Sequence, residues 1–203
     1  RLINHLRLTI MAEGKYILEG KNNESLEHKK FATEIFFTRA SYLAEIIKNV
    51  EDKQIANNYR KYHVPDKAIQ SLETELNRYS KGTIYRNLIF HIRDKIMFHF
   101  DRDVITETWS ELAELEEVNI YQGNSTERSN MFFTIVDTVA INFLIKQAGW
   151  AKAGDKNAIW GEAVKKYQEL RATVAQSSLS LMDSFEIAFN SLIKDYAKIR
   201  VNN

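Results

Sequence analysis

The sequence predicts an all-α protein, a single up-and-down helical bundle, on three observations. Apolar residues recur at three- and four-residue spacings through most of the 203-residue chain. Glycine and proline, which punctuate strands and turns, occur only seven times and once. No segment alternates apolar and polar residues long enough to form a strand. We expect one domain over residues 1–203, because one domain of this size buries most of its unfolded surface.

The first half of the chain divides at polar and proline-containing stretches. Residues 1–20 are of uncertain register, whereas residues 24–49 have a clear helical periodicity. The polar stretch 57–67 predicts a loop, and Pro65 within it suits the first turn of the next helix. That helix is expected to end at the Ser-Lys-Gly break at 80–82.

The second half begins with residues 83–100, which predict a central helix that carries the chemistry discussed below. A short acidic helix at 105–117 and a buried helix at 127–147, closed by Gly149, are expected next. Residues 149–161 predict a loop or a pair of short turns. The C-terminal part, 162–203, predicts one long helix, or two joined near the serines at 177 and 178.

Composition excludes several kinds of chemistry. The chain has no cysteine, which excludes disulfides, thiol nucleophiles and thiolate metal sites and favours the cytoplasm. The longest apolar run, 131–145, is too short and too polar to span a bilayer, so no membrane association is expected. The isolated His5, His28 and His63 have no ligand-spaced neighbours, so we expect neither a metal site nor a cofactor.

The predicted central helix is apolar on nearly every side and yet carries two arginines and two histidines. Arg86 and Arg93 lie seven residues apart on either side of Phe90, and His99 falls on the apolar face. A helix of this kind is buried on more than one side. Its arginines then need carboxylates, phosphates or solvent to meet their charge.

Two neighbouring motifs on this helix resemble the signature of HEPN domains, an all-helical group rich in bacterial toxins and phage-defence proteins. RNLIFH, residues 86–91, fits the RNxxxH form of the signature. RDKIMFH, residues 93–99, fits the looser Rx4–6H form, with aspartate where asparagine is commoner. The resemblance covers this helix directly, and the rest of the chain agrees in being helical and of suitable length.

The resemblance implies a homodimer in which two copies of the helix line one cleft and cleave RNA without a metal. In such a cleft a 2′-hydroxyl attacks the adjacent phosphate, a histidine moves the proton and an arginine stabilises the charge on the phosphate oxygens. A polar residue beside the arginine orients it. The residues implied for the site are, in order of preference, Arg93, His99 and Asp94, then Arg86, Asn87 and His91.

The same residues allow a structural interpretation. Arg93 and His99 are six residues apart, about 120 degrees around an α-helix, so they converge only if the helix end bends or the arginine swings. His99 could equally be a hydrogen-bonded core histidine. Asp94 could pair with an arginine as a structural bridge, and the arginines could bridge to acids at 101–117.

The functional hypothesis is therefore a metal-independent HEPN-type endoribonuclease, a toxin or phage-defence effector whose substrate is RNA. A homodimer is expected, with an antitoxin or regulatory protein as a possible partner. The alternative hypothesis is a catalytically silent helical protein that dimerises and binds a protein or RNA through the same surface. A small-molecule-binding bundle is a third possibility, for which the sequence offers no positive feature.

Overall fold

The computed structural model describes residues 2–19, 26–97, 106, 139–150 and 156–201, and every regular element in these ranges is helical. The protein is thus an all-α bundle, as predicted. In chain order its elements are α1 (Leu2–Glu19), α2 (Leu26–Asp52), α3 (Ile55–Lys61), α4 (Asp66–Arg78), α5 (Ile84–His91), a π turn (Ile92–Met97), α6 (139–147) and α7 (Lys156–Val201). No helix within these ranges has the combined length and apolarity needed to cross a bilayer.

The core forms around α2, against which α1, the π turn and α7 pack. The buried residues of α2 recur at helical spacing and are Ile35, Phe36, Phe37, Ala40, Leu43, Ala44, Ile46, Ile47 and Val50. Helix α5 and the π turn bury Leu88, Ile89, Ile92 and Ile96, which belong to the predicted apolar face of the 83–100 helix. The motif residues are therefore carried by a segment anchored in the core.

The predicted 83–100 helix changes its hydrogen-bonding pattern part-way. It begins at Thr83, whose Oγ1 accepts a hydrogen bond from the Arg86 backbone N–H at 3.3 Å. After His91 the α-helix gives way to a π turn, in which bonds run from residue i to i+5 and each turn takes in more residues. Residues 98–100, including His99, lie outside the described residues.

Two predicted loops are partly helical. Helix α3 occupies the first five residues of the expected loop at 57–67 and buries Tyr59. It ends at Lys61, two residues before His63, whose φ is +52°. The Val64 N–H donates to the Tyr59 carbonyl at 3.0 Å and so closes that helix. Helix α4 follows Pro65, as predicted. The other loop, at 149–161, is helical from Lys156 onward.

Helix α7 is one continuous helix of 46 residues, without the break considered near its serines. Ser177 and Ser178 are fully buried but satisfied. Ser177 Oγ accepts from Arg78 Nη1 at 2.8 Å and from Tyr79 Oη at 3.1 Å, and Ser178 Oγ donates to the Val174 carbonyl at 2.7 Å. Because these hydroxyls find partners across and along the helix, they do not interrupt it.

Helix α6 ends as predicted at Gly149, whose φ is +62°. The Trp150 N–H donates to the Ile145 carbonyl at 3.1 Å and the Gly149 N–H to the Lys146 carbonyl at 2.9 Å, the two bonds of a Schellman cap. The expected acidic helix at 105–117 lies outside the described residues except at Thr106, as does the start of the helix expected at 127–147.

Candidate functional site

The guanidinium groups of Arg86 and Arg93 both lie against one phenylalanine ring. Their guanidinium carbons are 4.6 Å and 4.7 Å from the ring centroid of Phe90. Both distances fall within the range of a cation–π contact, about 6 Å. We call these three residues the arginine clamp. The clamp brings together the arginines of the two motifs on one surface.

Arg86 is the more firmly held arginine of the clamp. Its Nη1 and Nη2 donate to the two carboxylate oxygens of Glu51 at 2.6 Å and 2.9 Å, and Nη1 also donates to the Tyr79 carbonyl at 2.9 Å. The side chains of Arg86 and Glu51 are 14% and 29% exposed, so the pair is partly desolvated. A bidentate fork of this kind is geometrically demanding and fixes the guanidinium plane. Arg86 therefore ties α5 to the ends of α2 and α4.

Arg93 has looser carboxylate contacts. Its Nε donates to Asp94 Oδ1 at 2.6 Å, and its Nη1 donates to Glu45 Oε2 at 3.2 Å. The other oxygen of Glu45, Oε1, accepts a hydrogen bond from Asn49 Nδ2 at 3.2 Å, so Glu45 does not form a fork with the arginine. Each carboxylate therefore meets Arg93 at one point, and Asp94 is itself exposed.

His91 lies away from the guanidinium of its own motif. Asn87 is exposed, and the half-buried His91 ring stands edge-on to Phe143 of α6 at 6.2 Å. Arg86 and His91 are five residues apart in a regular helix, about 140 degrees around its axis. Because Arg86 contacts α2 and His91 contacts α6, the structure does not bring them together within one protomer.

Burial lowers the pKa of His91 from its usual value of 6.5, while nearby Asp94 raises it in part and Lys95 lowers it further. The neutral imidazole is thus the favoured form near neutral pH, and a neutral imidazole can accept a proton. His99 lies outside the described residues. Its convergence with Arg93 therefore stays a prediction.

The charges of the arginine clamp are compensated within the protomer. Two guanidinium groups meet three carboxylates, those of Glu45, Glu51 and Asp94. An anionic ligand would therefore bind only where it displaces one of these carboxylates from its arginine. The pairing of Arg93 with Asp94 fits both roles considered from the sequence for Asp94, the orienting group and the structural bridge.

The α2 acids that meet the clamp, Glu45 and Glu51, were not predicted from the sequence. They lie 48 and 35 residues before their arginines, whereas acids at 101–117 had been considered as partners. One signal was present in the sequence. The acids are six residues apart on α2 and the arginines seven apart on the segment predicted as the central helix, which matches an antiparallel packing.

Within the ranges that the structure describes, no group of three histidine, aspartate or glutamate side chains could hold a metal ion. No family model, no curated protein and no solved structure matches the chain. The HEPN resemblance therefore depends on the motif residues and their local geometry.

Proposed function

We propose that the protein is a metal-independent HEPN-type endoribonuclease whose site contains Arg93, Asp94 and His99. The observation that supports this is the 2.6 Å bond from Arg93 Nε to Asp94 Oδ1. It is the contact by which a polar residue beside the motif arginine would orient the guanidinium group. The setting, by the same resemblance, is toxin activity or phage defence, with a homodimer forming the cleft.

The contacts of the two arginines favour Arg93 over Arg86 as the phosphate ligand. Freeing Arg86 would break a bidentate pair and a bond to the Tyr79 carbonyl. A phosphate that approaches Arg93 displaces only Glu45, whose 3.2 Å contact is at the long end of N–H···O bonds. The bond from Arg93 to Asp94 can persist during that exchange and keep the guanidinium oriented.

The proposed step is transesterification within the RNA. The 2′-oxygen attacks the adjacent phosphorus while His99, as the general base, takes the 2′-hydroxyl proton. The bond from phosphorus to the 5′-oxygen breaks, leaving a 2′,3′-cyclic phosphate and a 5′-oxygen that takes up a proton. Arg93 donates hydrogen bonds to the phosphate oxygens as negative charge builds on them.

The second candidate function is a catalytically silent protein that dimerises and binds a protein or RNA partner. The three carboxylates around two guanidinium groups favour it, because they oppose the approach of an RNA phosphate. In that case the arginine clamp only joins α5 and the π turn to α2. The two candidates differ in whether Arg93 can exchange Glu45 for a phosphate.

Cleavage of a mixed RNA by the purified full chain in excess chelator tests the proposal. We expect the parent to produce 2′,3′-cyclic phosphate ends, and His99→Ala and Arg93→Met to lose at least about a hundredfold in rate. Arg60→Met is the matched control, since Arg60 forms an exposed pair with Glu73 outside the clamp, and it should cleave like the parent. Glu45→Gln should cleave faster, because it removes the competing charge.

The outcomes separate the candidates. Cleavage by the parent and by His99→Ala alike would move the assignment to Arg86 and His91, or to a contaminating nuclease. No cleavage by the parent or by Glu45→Gln would overturn the ribonuclease proposal and favour the silent protein. Urea denaturation of each variant shows whether a loss of cleavage is a loss of folding.

A further inference from the structure

The last part of α7 carries an apolar stripe that leaves the core. Its members stand at the i, i+3, i+4 and i+7 spacing by which one helix docks on another, and we call them the α7 stripe: Phe189, Leu192, Ile193 and Tyr196. All four are exposed, Phe189 at 63% and Tyr196 at 62%. Ala188 is the last buried residue of the part of α7 whose side chains are described. With its 46 residues α7 is about 69 Å long, against about 40 Å for α2.

A cavity lies next to the start of this stripe. It has a volume of about 310 Å³ and is lined mainly by apolar side chains of α1, α2 and α3, by Phe185 of α7, and by the polar Asn49 and Lys53. Phe185 precedes Phe189 by four residues and Tyr196 by eleven, which is about three helical turns. The cavity and the exposed tyrosine therefore share one line along α7.

We propose that two copies of the chain associate through antiparallel α7 helices, with Tyr196 of each copy seated in the cavity beside Phe185 of the other. Such an interface is isologous, since each copy supplies both the inserted side chain and the cavity that receives it. Asn49 and Lys53 give the cavity polar groups that can meet the tyrosine hydroxyl, while the apolar lining meets its ring.

The spacing of the apolar residues fits this arrangement. Met182, Phe185, Phe189, Leu192 and Tyr196 follow one another at intervals of three and four residues, which are the a and d positions of a two-helix coiled coil. In the antiparallel register Phe189 meets Leu192 of the other copy, and Tyr196 meets Phe185. A parallel arrangement would place each tyrosine against its own counterpart and away from the cavity.

The residues that flank the α7 stripe produce no charge repulsion when two identical chains associate. In the antiparallel register Glu186 faces Ile193 of the other copy, and Ala188 faces Asp195, so that no two like charges meet at these positions. A helix of strongly opposite charge would find few counter-charges here. The edge residues thus favour a second copy over a highly charged partner.

The α7 stripe alone is too small for a stable dimer interface, so the cavity must contribute to it. From their exposed fractions, the four side chains of the α7 stripe offer about 400 Å² per copy, or about 800 Å² in a dimer. Specific interfaces bury about 1,200 Å² or more, so the stripe alone is too small. Seating both tyrosines in the cavities adds their lining to the interface and narrows that gap. This interface is separate from a cleft at the motif helix and does not depend on RNA cleavage.

Sedimentation velocity of the full chain over a wide concentration range tests the proposal with a matched pair of variants. Leu192→Ser and Leu179→Ser make the same change on the same helix at similar exposure, 38% and 43%, but Leu179 lies outside the α7 stripe. We expect self-association of the parent and of Leu179→Ser, to dimers through α7 alone and to larger assemblies where the motif helices also pair, and association at least about tenfold weaker for Leu192→Ser. A monomeric parent at every concentration, or equal dimerisation of both variants, would overturn the proposal.

Two further variants test the seating of the tyrosine. Tyr196→Phe retains the ring and should keep the dimer, whereas Tyr196→Ala should weaken it at least about tenfold. The direction of the helices can be tested with single cysteines, because the chain has none. A mixture of Glu186→Cys and Ile193→Cys chains should form a crosslinked dimer with a short thiol reagent, and each alone should not. An unaffected Tyr196→Ala dimer, or no crosslink in the mixture, would overturn this arrangement.

Discussion

Replacing Arg86 with methionine is expected to lower the free energy of unfolding by about 2–4 kcal/mol. The change removes two hydrogen bonds to Glu51 and one to the Tyr79 carbonyl, while methionine retains an unbranched apolar stem. A buried hydrogen bond to a charged group contributes about 1.5–3 kcal/mol, but both side chains are partly exposed, so less is expected of each. The lost cation–π contact with Phe90 adds about 0.5–1 kcal/mol.

The control is Arg60→Met, which breaks the exposed pair with Glu73. We expect that change to cost at most about 0.5 kcal/mol, because exposed ion pairs contribute little. Double-mutant cycles with Glu51→Gln and Glu73→Gln isolate the pairwise energies. The expected coupling is about 1–2 kcal/mol for the Arg86–Glu51 pair and below about 0.5 kcal/mol for the exposed pair.

Urea denaturation followed by the loss of helical circular dichroism measures these energies, provided that the slope against urea is unchanged among the variants. If Arg86→Met costs no more than Arg60→Met, Arg86 is not a structural anchor. The preference for Arg93 as the phosphate ligand would then lose its basis. Arg86 would become an equal candidate in the cleavage assay.

Three further predictions concern stability and use the same denaturation assay. Ser177→Ala should cost about 1–3 kcal/mol, because the buried Tyr79 hydroxyl loses its acceptor, and a cost below about 0.5 kcal/mol would contradict this. Burial lowers the pKa of His91 in the folded protein, so the contribution of His91 to the free energy of unfolding is complete above about pH 6.5 and declines as the pH falls from that value towards the folded pKa. His91→Phe should flatten the dependence of the free energy of unfolding on pH in this range. Gly161 lies within a helix and has open space around it, so Gly161→Ala should stabilise the protein by about 0.5–1 kcal/mol. Gly149 has a φ of +62°, so Gly149→Ala should destabilise the protein by about 1 kcal/mol. Two stability changes of the same sign would refute the backbone argument.

The long helices were predictable because each buries one face of a periodic sequence. Helix α3 was not, since its seven residues bury a single side chain, Tyr59, and it is followed by His63, a non-glycine residue with a positive φ. The continuity of α7 also depended on distant residues. In the sequence Ser177 indicates a possible break in the helix. In the structure its hydroxyl accepts hydrogen bonds from Arg78 and Tyr79 of the α4 region, and the helix continues.

The candidate site was predictable only in part, for a similar reason. The sequence indicated that Arg86 and Arg93 share a side of the helix with Phe90, and the structure confirms that placement. Their partners Glu45 and Glu51 come from a helix far away in the chain. A single sequence indicates that buried arginines need carboxylate partners, but it does not show which carboxylates pair with them.

The second motif begins within a π turn. The separation of about 120 degrees assumes α-helical rotation, in which six residues fall short of two full turns; the π geometry of Ile92–Met97 takes in more residues per turn and so does not by itself bring a six-residue spacing onto one face. The turn is held by burial of Ile92 and Ile96 in the core, so it is part of the packed structure and not a frayed end. Since π turns occur often at functional sites, this location is a second reason, besides the contacts of Arg93, to direct the cleavage assay at the second motif rather than the first.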